Sequence, residues 1–176
     1  MDFVNTVDWR DDPARYVELL PTAQALSVWT RQAGFPATVS RGIRHERQRR
    51  RAIRLREALT TIFRAVAHGQ AAPPSARATL TKWTQDAWHH RELVETLTWR
   101  WQPRTDPVDR VLFELVLDAG TLLVSRERER IGLCAGQGCG WFFVDRSKAG
   151  RRRWCSMAAC GNRAKVSEYR ERVAHV

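Results

Sequence analysis

The chain has 176 residues, of which 43% are hydrophobic, enough for one ordinary domain with a packed core plus a small appended module. No stretch approaches the roughly 18 consecutive apolar residues of a membrane helix, and residues 1–20 lack the basic and apolar regions of a signal peptide. The sequence therefore argues against a membrane or secreted protein and predicts a cytoplasmic one with reduced thiols. Its net charge of +11 points to a polyanionic partner.

The first part of the chain predicts a mostly helical domain that begins with a short β element. Residues 3–7 are expected to form a short strand or an extended segment on the core. A helix is predicted over residues 21–33. Its expected apolar face consists of Ala25, Val28 and Trp29. Ser40 is the expected N-cap of a long helix over residues 40–68, because apolar residues recur there at intervals of three and four.

Two further helices and a second β element are predicted before residue 130. Ser75 is the expected N-cap of a helix that continues through Trp88. Residues 93–101 alternate between two faces, which predicts a strand or one arm of a hairpin. Asp106 as N-cap and Pro107 at the first helical position predict a helix whose apolar stripe reaches Leu123 and whose charged final turn is residues 126–130.

An arginine-rich block occupies the beginning of the long predicted helix. Eight arginines fall within sixteen positions, at 41, 44, 47, 49, 50, 51, 54 and 56. One interpretation is a contact with nucleic acid. The other, which we favour, is a solvated helix face paired with acids of neighbouring helices.

All four cysteines lie within residues 134–160, as C-x4-C, fifteen intervening residues, and C-x4-C. Two close pairs joined by a hairpin-sized segment suit a tetrahedral zinc ion. The alternatives are disulfides, which require a secreted protein, and unrelated core thiols, which would not cluster in this way. Four thiolates, at Cys134, Cys139, Cys155 and Cys160, close the ligand shell. We therefore predict one structural zinc rather than a catalytic one, and no enzymatic activity, because no nucleophile–base pair or open metal site is visible.

The residues around the second cysteine pair are identifiable. Residues 152–163, RRWCSMAACGNR, resemble the CGNR zinc finger, which is named for the four residues 160–163 as they stand here. Cys134 and Cys139, followed by Phe143, Asp145 and Ser147, fit the same pattern. Residues 2–6, DFVNT, resemble the opening of the ABATE domain of stress-induced transcription regulators. Members of that family carry a few residues before this segment, which suggests a native start upstream of Met1.

The resemblance implies a treble-clef-like finger with a zinc ion held by the four cysteines and a role in DNA binding. Together with the residue patterns, it predicts a knuckle at Cys134 and Cys139 and a hairpin of residues 141–145 and 151–154. A helix capped by Ser156 is expected over residues 157–173. From residue 134 onward, nine Lys/Arg against three Asp/Glu give a net charge of +6. The candidate nucleic-acid contacts are Arg146, Lys148, Arg151, Arg152, Arg153, Arg163 and Lys165.

We therefore expect a mainly α (α+β) protein with an ABATE-like helical domain over residues 1–130 and a zinc finger over residues 131–176. The expected function is a zinc-containing, DNA-binding transcriptional regulator. Its N-terminal domain would receive a small-molecule effector or a protein partner. Asp2 and Asn5 are candidate ligand-binding residues, although hydrogen bonding within a local turn is the favoured role. The alternatives are a finger that binds RNA or protein and a thiol-based redox sensor.

Overall fold

The computed structural model describes residues 1–35 and 46–174. These residues form five α-helices, namely α1 Ala23–Gln32, α2 Glu46–Ala67, α3 Pro74–His89, α4 Pro107–Val124 and α5 Asn162–Ala174. Three two-stranded antiparallel sheets pair β1 Val7–Asp8 with β2 Val17–Glu18, β3 Arg91–Leu93 with β4 Trp99–Trp101, and β5 Ile131–Leu133 with β6 Phe142–Val144. A 3-10 helix, Arg126–Arg130, links α4 to β5. The expected mainly helical architecture with short β elements is confirmed.

The central helices follow the predicted stripes. On α2, Leu55, Leu59 and Phe63 are buried at successive turns, as the spacing of apolar residues dictates. The Asp106 side chain accepts hydrogen bonds from the backbone N–H groups of Val108 and Asp109, so it caps α4 as predicted. Because α2 and α4 share one core with α1 and the N-terminal segment, this core forms the body of the protein.

Three predicted details of the helical part are wrong. Ser75 does not cap α3, which begins at Pro74; the N-cap residue is Pro73, whose side chain has no hydrogen-bond acceptor. The fully buried residues of α1 are Ala23, Leu26, Ser27 and Thr30, so the predicted face is misplaced, although Trp29 of that face is partly buried against the core. Residues 2–5 form turns closed by hydrogen bonds to the carbonyls of Met1 and Phe3, and the strand begins only at Val7. Ser40, the predicted cap of α2, lies outside the described residues.

The alternating segment near residue 100 is a hairpin. Residues 91–93 pair with residues 99–101, and the chain reverses between them. Leu97 adopts a positive φ of 54° in this turn. The predicted β arm is therefore present, but its alternation is interrupted because residues 94–98 form the turn.

The strand pairing of the C-terminal part differs from the prediction. Strand β6 lies where a strand was expected, but it pairs with β5, which precedes the first cysteine, and not with residues 151–154. The latter segment is held instead by the hydrogen bonds Arg152 N–H to Asp145 Oδ2 at 2.8 Å and Ala135 N–H to Arg153 O at 2.9 Å. Arginine-rich residues 151–153 are exposed, so no apolar face fixes them in a sheet.

The C-terminal part also contributes to the main core. Ile131 of β5 and Phe142 of β6 are 5% and 1% exposed and belong to the same buried cluster as Leu55 and Leu59 of α2. The division into two units at residues 130 and 131 stays a prediction. Among the described helices, none combines the length and the apolar composition needed to span a bilayer.

The arginine-rich block has mixed surroundings. The buried Arg56 bonds Glu18 and Glu57, Arg51 bonds Asp109, and Arg49 donates to the carbonyl of Leu20, so part of the block holds the fold together. The remaining members with described positions, Arg47, Arg50 and Arg54, are exposed and make no ion pair within the described chain. Arg41 and Arg44 fall in the segment that the structure does not describe.

Candidate metal centre

The first cysteine pair lies in the turn that joins β5 to β6. The backbone N–H of Cys134 donates to the carbonyl of Trp141 at 2.8 Å, and that of Cys139 donates to Gly136 at 3.0 Å, which folds the turn into a tight knuckle. Gly138 and Gly140 have φ values of 71° and 69°, a region that side chains disfavour. The knuckle therefore depends on glycine at these positions.

The second pair flanks the start of the C-terminal helix. Ser156 caps this helix by accepting a hydrogen bond from the backbone N–H of Ala159 at 3.3 Å, as predicted. The first turn, Met157–Gly161, is a wide π-helical turn, and α5 continues from it. Cys155 precedes the cap and Cys160 lies in the wide turn, so a single turn of helix brings both thiols toward the knuckle.

The four sulfur atoms form a compact cluster. All four lie within 4.8 Å of one another, with 3.8 Å between the Sγ atoms of Cys139 and Cys155 and 3.6 Å between those of Cys155 and Cys160. A tetrahedral zinc ion with bonds of about 2.3 Å places its sulfur ligands about 3.8 Å apart. The cluster therefore has the size and the donor set that a four-cysteine zinc site requires.

The environment of the thiols favours a bound cation. Burial and neighbouring thiol groups raise the pKa of Cys139, and they raise the pKa of Cys155 to about 12. Burial also acts to raise the pKa of Cys134, but hydrogen bonds from the backbone N–H groups of Cys155 and Gly136 outweigh it and lower that pKa. The raised pKa values of Cys139 and Cys155 mean that their thiolates need a nearby positive charge, which a bound dication would supply.

Arg163 adds a hydrogen bond to the cluster from outside the ligand set. Its guanidinium donates to Cys160 Sγ at 2.9 Å and lies 4.7 Å above the Trp9 ring. Arg15 covers the same ring at 3.8 Å. Trp9 itself has a φ of 52°, unusual for a bulky residue. The sequence predicts Arg163 as a nucleic-acid contact, whereas in the structure its side chain donates to the sulfur of a candidate zinc ligand.

The N-terminal segment binds the knuckle through its backbone and side chains. Backbone N–H groups of Arg10 and Asp11 donate to the carbonyls of Cys139 and Gly138, each at 3.2 Å. Trp141 Nε1 donates to the carbonyl of Val7 at 2.8 Å. Added Cβ atoms at Gly138 and Gly140 would lie 2.7 Å from Asp12 and Arg10, so the glycines also permit this close approach. These contacts were not anticipated from the sequence.

The predicted nucleic-acid contacts fall into two groups. Arg146 forms an ion pair with Glu127, and Arg152 donates to the carbonyls of Trp154 and Cys155, so these two, like Arg163, have partners within the protein. Four side chains are exposed and have no hydrogen bond or ion pair among the described residues, namely Lys148, Arg151, Arg153 and Lys165. Three of these four lie between β6 and Cys155.

The candidate ligand residues Asp2 and Asn5 line one large cavity of about 790 Å³. Asn5 uses its whole side-chain amide on Phe142, donating to its carbonyl at 2.9 Å and accepting from its N–H at 2.8 Å. Asp2 is exposed. The cavity lies between the helical body and β6, and its aromatic lining includes Phe3, Trp29, Phe35 and Phe143.

Comparisons with known families match both parts of the chain. The model of the CGNR zinc finger matches residues 130–173, and the ABATE model, described as "Putative stress-induced transcription regulator", matches residues 1–126. A search of curated proteins gave no match. With the sulfur geometry, these matches establish one structural zinc held by the four cysteines. The chain belongs to the ABATE family and carries a C-terminal CGNR zinc finger.

Proposed function

We propose that the protein is a DNA-binding transcriptional regulator that works in the cytoplasm and whose zinc has a structural role. The family description supports the regulatory part. A structural role for the zinc is supported by the size of the finger, because a segment of about forty residues builds too small a hydrophobic core of its own to fold stably without a metal. The order of a knuckle followed by a helix start that each supply two cysteines is also that of a treble-clef finger.

The observation that carries the DNA-binding proposal is the loop between β6 and Cys155. Lys148, Arg151 and Arg153 are exposed there and have no acidic partner in the described chain. Arg146 of the same loop is neutralised by Glu127, and the backbone N–H of Arg152 is held by Asp145. The loop is therefore anchored at two points. Its three cations without an acidic partner, among which Arg153 lies over the Trp154 ring, are available for phosphate contacts.

The N-terminal domain is proposed to receive an effector. A cavity of about 790 Å³ lies within the size range of small-molecule sites, and such sites are frequent between structural units. Its lining combines Phe3 and Trp29 of the body with Phe143 of the finger. A small molecule bound in the cavity would thus contact both the helical body and the finger.

The test is a selection of bound sequences from random duplex DNA with the zinc-loaded full chain, with and without a chelator. The double variant Arg151→Gln/Arg153→Gln should then weaken binding to every sequence and reduce the slope of log affinity against log salt by about two. The matched control is Arg47→Gln/Arg50→Gln, which removes two exposed cations from α2. An equal effect of the control would show that total charge drives binding. A preference for RNA, or no nucleic-acid binding at all, would overturn the proposal.

A redox sensor is the second candidate, because one ligand is accessible. Cys155 is half-buried and lines the large cavity, whereas the other three cysteines are buried. Peroxide would take two electrons from two thiolates, forming a disulfide and, with two protons, two waters, and the zinc would be released. Zinc release by mild peroxide favours this candidate, and resistance of the metal to peroxide excludes it.

A further inference from the structure

Helix α5 presents an unusual surface. None of its residues with described side chains is buried, and Val166, Tyr169 and Val173 are 48%, 63% and 57% exposed. Their i, i+3, i+7 spacing places the three apolar side chains on one face of the helix. Helices of this length are marginal in water and take most of their stability from packing. An apolar face on such a helix therefore needs a partner.

The direction of this face follows from the residues on the other side of the helix. Ala164, Ser167, Glu168 and Glu171 line a small cavity of about 270 Å³ together with Trp9 and Arg15 of the body. Both acidic residues of α5 thus lie on the side that faces the body. The stripe of Val166, Tyr169 and Val173 lies on the opposite side and faces away from the body.

Basic residues border the apolar stripe on both sides. Arg170 follows Val166 by four positions and precedes Val173 by three, so it adjoins both. On the other side, Lys165 and Arg172 lie four positions before and three positions after Tyr169. All three cations are exposed and form no ion pair within the described residues. The outward face therefore consists of an apolar centre between two cationic borders.

This charge pattern decides among the partners that could cover the face. A second copy of the chain would bring cationic borders together, and an apolar groove would leave the cations without partners. Duplex DNA suits both the apolar centre and the cationic borders, because its major groove, about 12 Å wide, admits a helix between two rows of phosphates. Apolar side chains at the centre of the helix then meet base edges and thymine methyl groups.

We propose that α5 is the DNA-reading helix of the protein. It lies in the major groove with Val166 and Tyr169 toward the bases, while Lys165, Arg170 and Arg172 contact phosphates of the two strands. Arg163, bonded to Cys160 and stacked on Trp9, fixes the first turn of this helix to the zinc centre. This inference rests on the proposed function, since it names the element that reads the DNA.

The experiment measures fluorescence anisotropy of zinc-loaded full-length protein on the duplex recovered by selection and on a scrambled duplex, at several salt concentrations. Tyr169→Ala should lose at least about tenfold on the selected duplex and little on the scrambled one. Arg170→Gln/Arg172→Gln should weaken both and reduce the salt slope by about two. The control Tyr16→Ala, at a tyrosine that is 47% exposed on the body, should leave both affinities unchanged. Circular dichroism and zinc content confirm that each variant is folded.

Each outcome has a distinct meaning. If the wild-type chain binds no duplex, the proposed function fails and the inference with it. If the wild type binds a selected sequence and Tyr169→Ala binds it equally well, DNA binding stands and α5 is not its reader. An equal loss on both duplexes also overturns the reading role. Binding of the wild type to anionic phospholipid vesicles without any preference for duplex would identify the face as a membrane surface.

Discussion

The guanidinium of Arg56 donates two hydrogen bonds to the carboxylate of Glu18, from Nη1 to Oε1 at 2.7 Å and from Nη2 to Oε2 at 2.6 Å. The Arg56 side chain is only 1% exposed, and Nη1 also donates to the carbonyl of Thr6 at 3.1 Å. A single buried cation of α2 thus binds both β2 and Thr6, which belongs to the N-terminal segment that contacts the zinc knuckle. Each of the three guanidinium nitrogens has a hydrogen-bond partner, and a buried pair of this kind is costly to break.

Replacing Glu18 by Gln should lower the free energy of unfolding by about 3 kcal/mol, because it leaves a buried guanidinium without its main counter-charge. Glu57, which accepts from Arg56 Nε at 2.8 Å, moderates the loss. Urea denaturation measures the change. Arg54→Gln, at an exposed position of the same helix, serves as the control and should stay within about 0.5 kcal/mol of the wild type. Equal stabilities of the two variants would contradict a structural role for the pair.

The same pair predicts a dependence of stability on pH. Burial acts to raise the pKa of Glu18, but the hydrogen bonds from Arg56 and from the Leu20 N–H outweigh it and lower the pKa below its ordinary value. A lowered folded-state pKa gives stability that is complete above the unfolded pKa of about 4.3 and is lost as pH falls through the folded value. The raised pKa of Arg56 adds no change in this range.

The expected result is a stability difference between wild type and Glu18→Gln that narrows as the pH falls below about 4. Protonation of the thiolates releases zinc from both proteins at acid pH, so the difference isolates the carboxylate. Urea melts at several pH values measure it. A difference that stays constant down to the acid limit would show that ionisation of Glu18 contributes nothing.

The sequence was informative wherever the determinants are local. The cap at Asp106, the stripe on α2 and the cysteine spacing each depend on residues within a few turns of one another, and the structure has them as predicted. The zinc ligands were also predictable because thiol chemistry and spacing leave few alternatives. The shift of the buried face of α1 shows the limit of this approach. Buried polar residues such as Thr30 carry no hydrophobic signal.

Long-range contacts could not be predicted from local patterns. From the sequence, β6 has two possible partners, residues 151–154 and residues 131–133. The structure pairs it with residues 131–133, because Ile131 packs in the main core. Asn5 meets Phe142 across 137 positions. Arg163, although exposed, donates to Cys160 Sγ and lies over the ring of Trp9, which is far from it in the chain. Composition alone marks Arg163 only as another surface cation.

Replacing any one of Cys134, Cys139, Cys155 or Cys160 by Ser should remove the zinc. A closed shell of four thiolates loses its geometry and charge balance when one ligand is lost. Metal analysis of purified protein should give one zinc per chain for the wild type and substoichiometric metal for each variant. Full occupancy in all four variants would show that these residues are not the ligands.

Replacing Arg163 by Gln should keep one zinc per chain but accelerate its transfer to a chelator about tenfold or more. The variant removes the hydrogen bond to Cys160 Sγ and leaves the four ligands in place, and such supporting contacts commonly tune metal affinity by this factor. Competition with a colorimetric chelator follows the transfer. Lys165→Gln, two positions away and exposed, is the matched control. A transfer rate equal to that of the control would show that the hydrogen bond from Arg163 to Cys160 does not stabilise the zinc site.

Replacing Asn5 by Ala should lower the free energy of unfolding by about 2 kcal/mol, because it leaves both backbone groups of Phe142 without a partner. Asn5→Asp keeps an acceptor for the Phe142 N–H, but its second carboxylate oxygen faces the Phe142 carbonyl oxygen, and both atoms are acceptors. We therefore expect Asn5→Asp not to restore the lost stability. Asp2→Asn, at the exposed neighbour, should be neutral. Rescue by Asp, measured in the same urea titrations, would mean that the carbonyl contact is unimportant.

Removal of zinc tests how far the helical body depends on the finger. Helices α1 to α4 hold most of the helical residues, and the stripes of α2 and α4 bury a core without metal, so the far-UV helical signal should largely survive chelation. The thermal midpoint should nevertheless fall by several degrees, because Ile131 and Phe142 belong to that core and the knuckle holds the N-terminal segment. Thermal melts followed by circular dichroism, before and after chelation and after zinc is restored, measure both quantities. Complete loss of the helical signal would mean that body and finger fold as one cooperative unit, and an unchanged midpoint would mean that the contacts between them carry no stability.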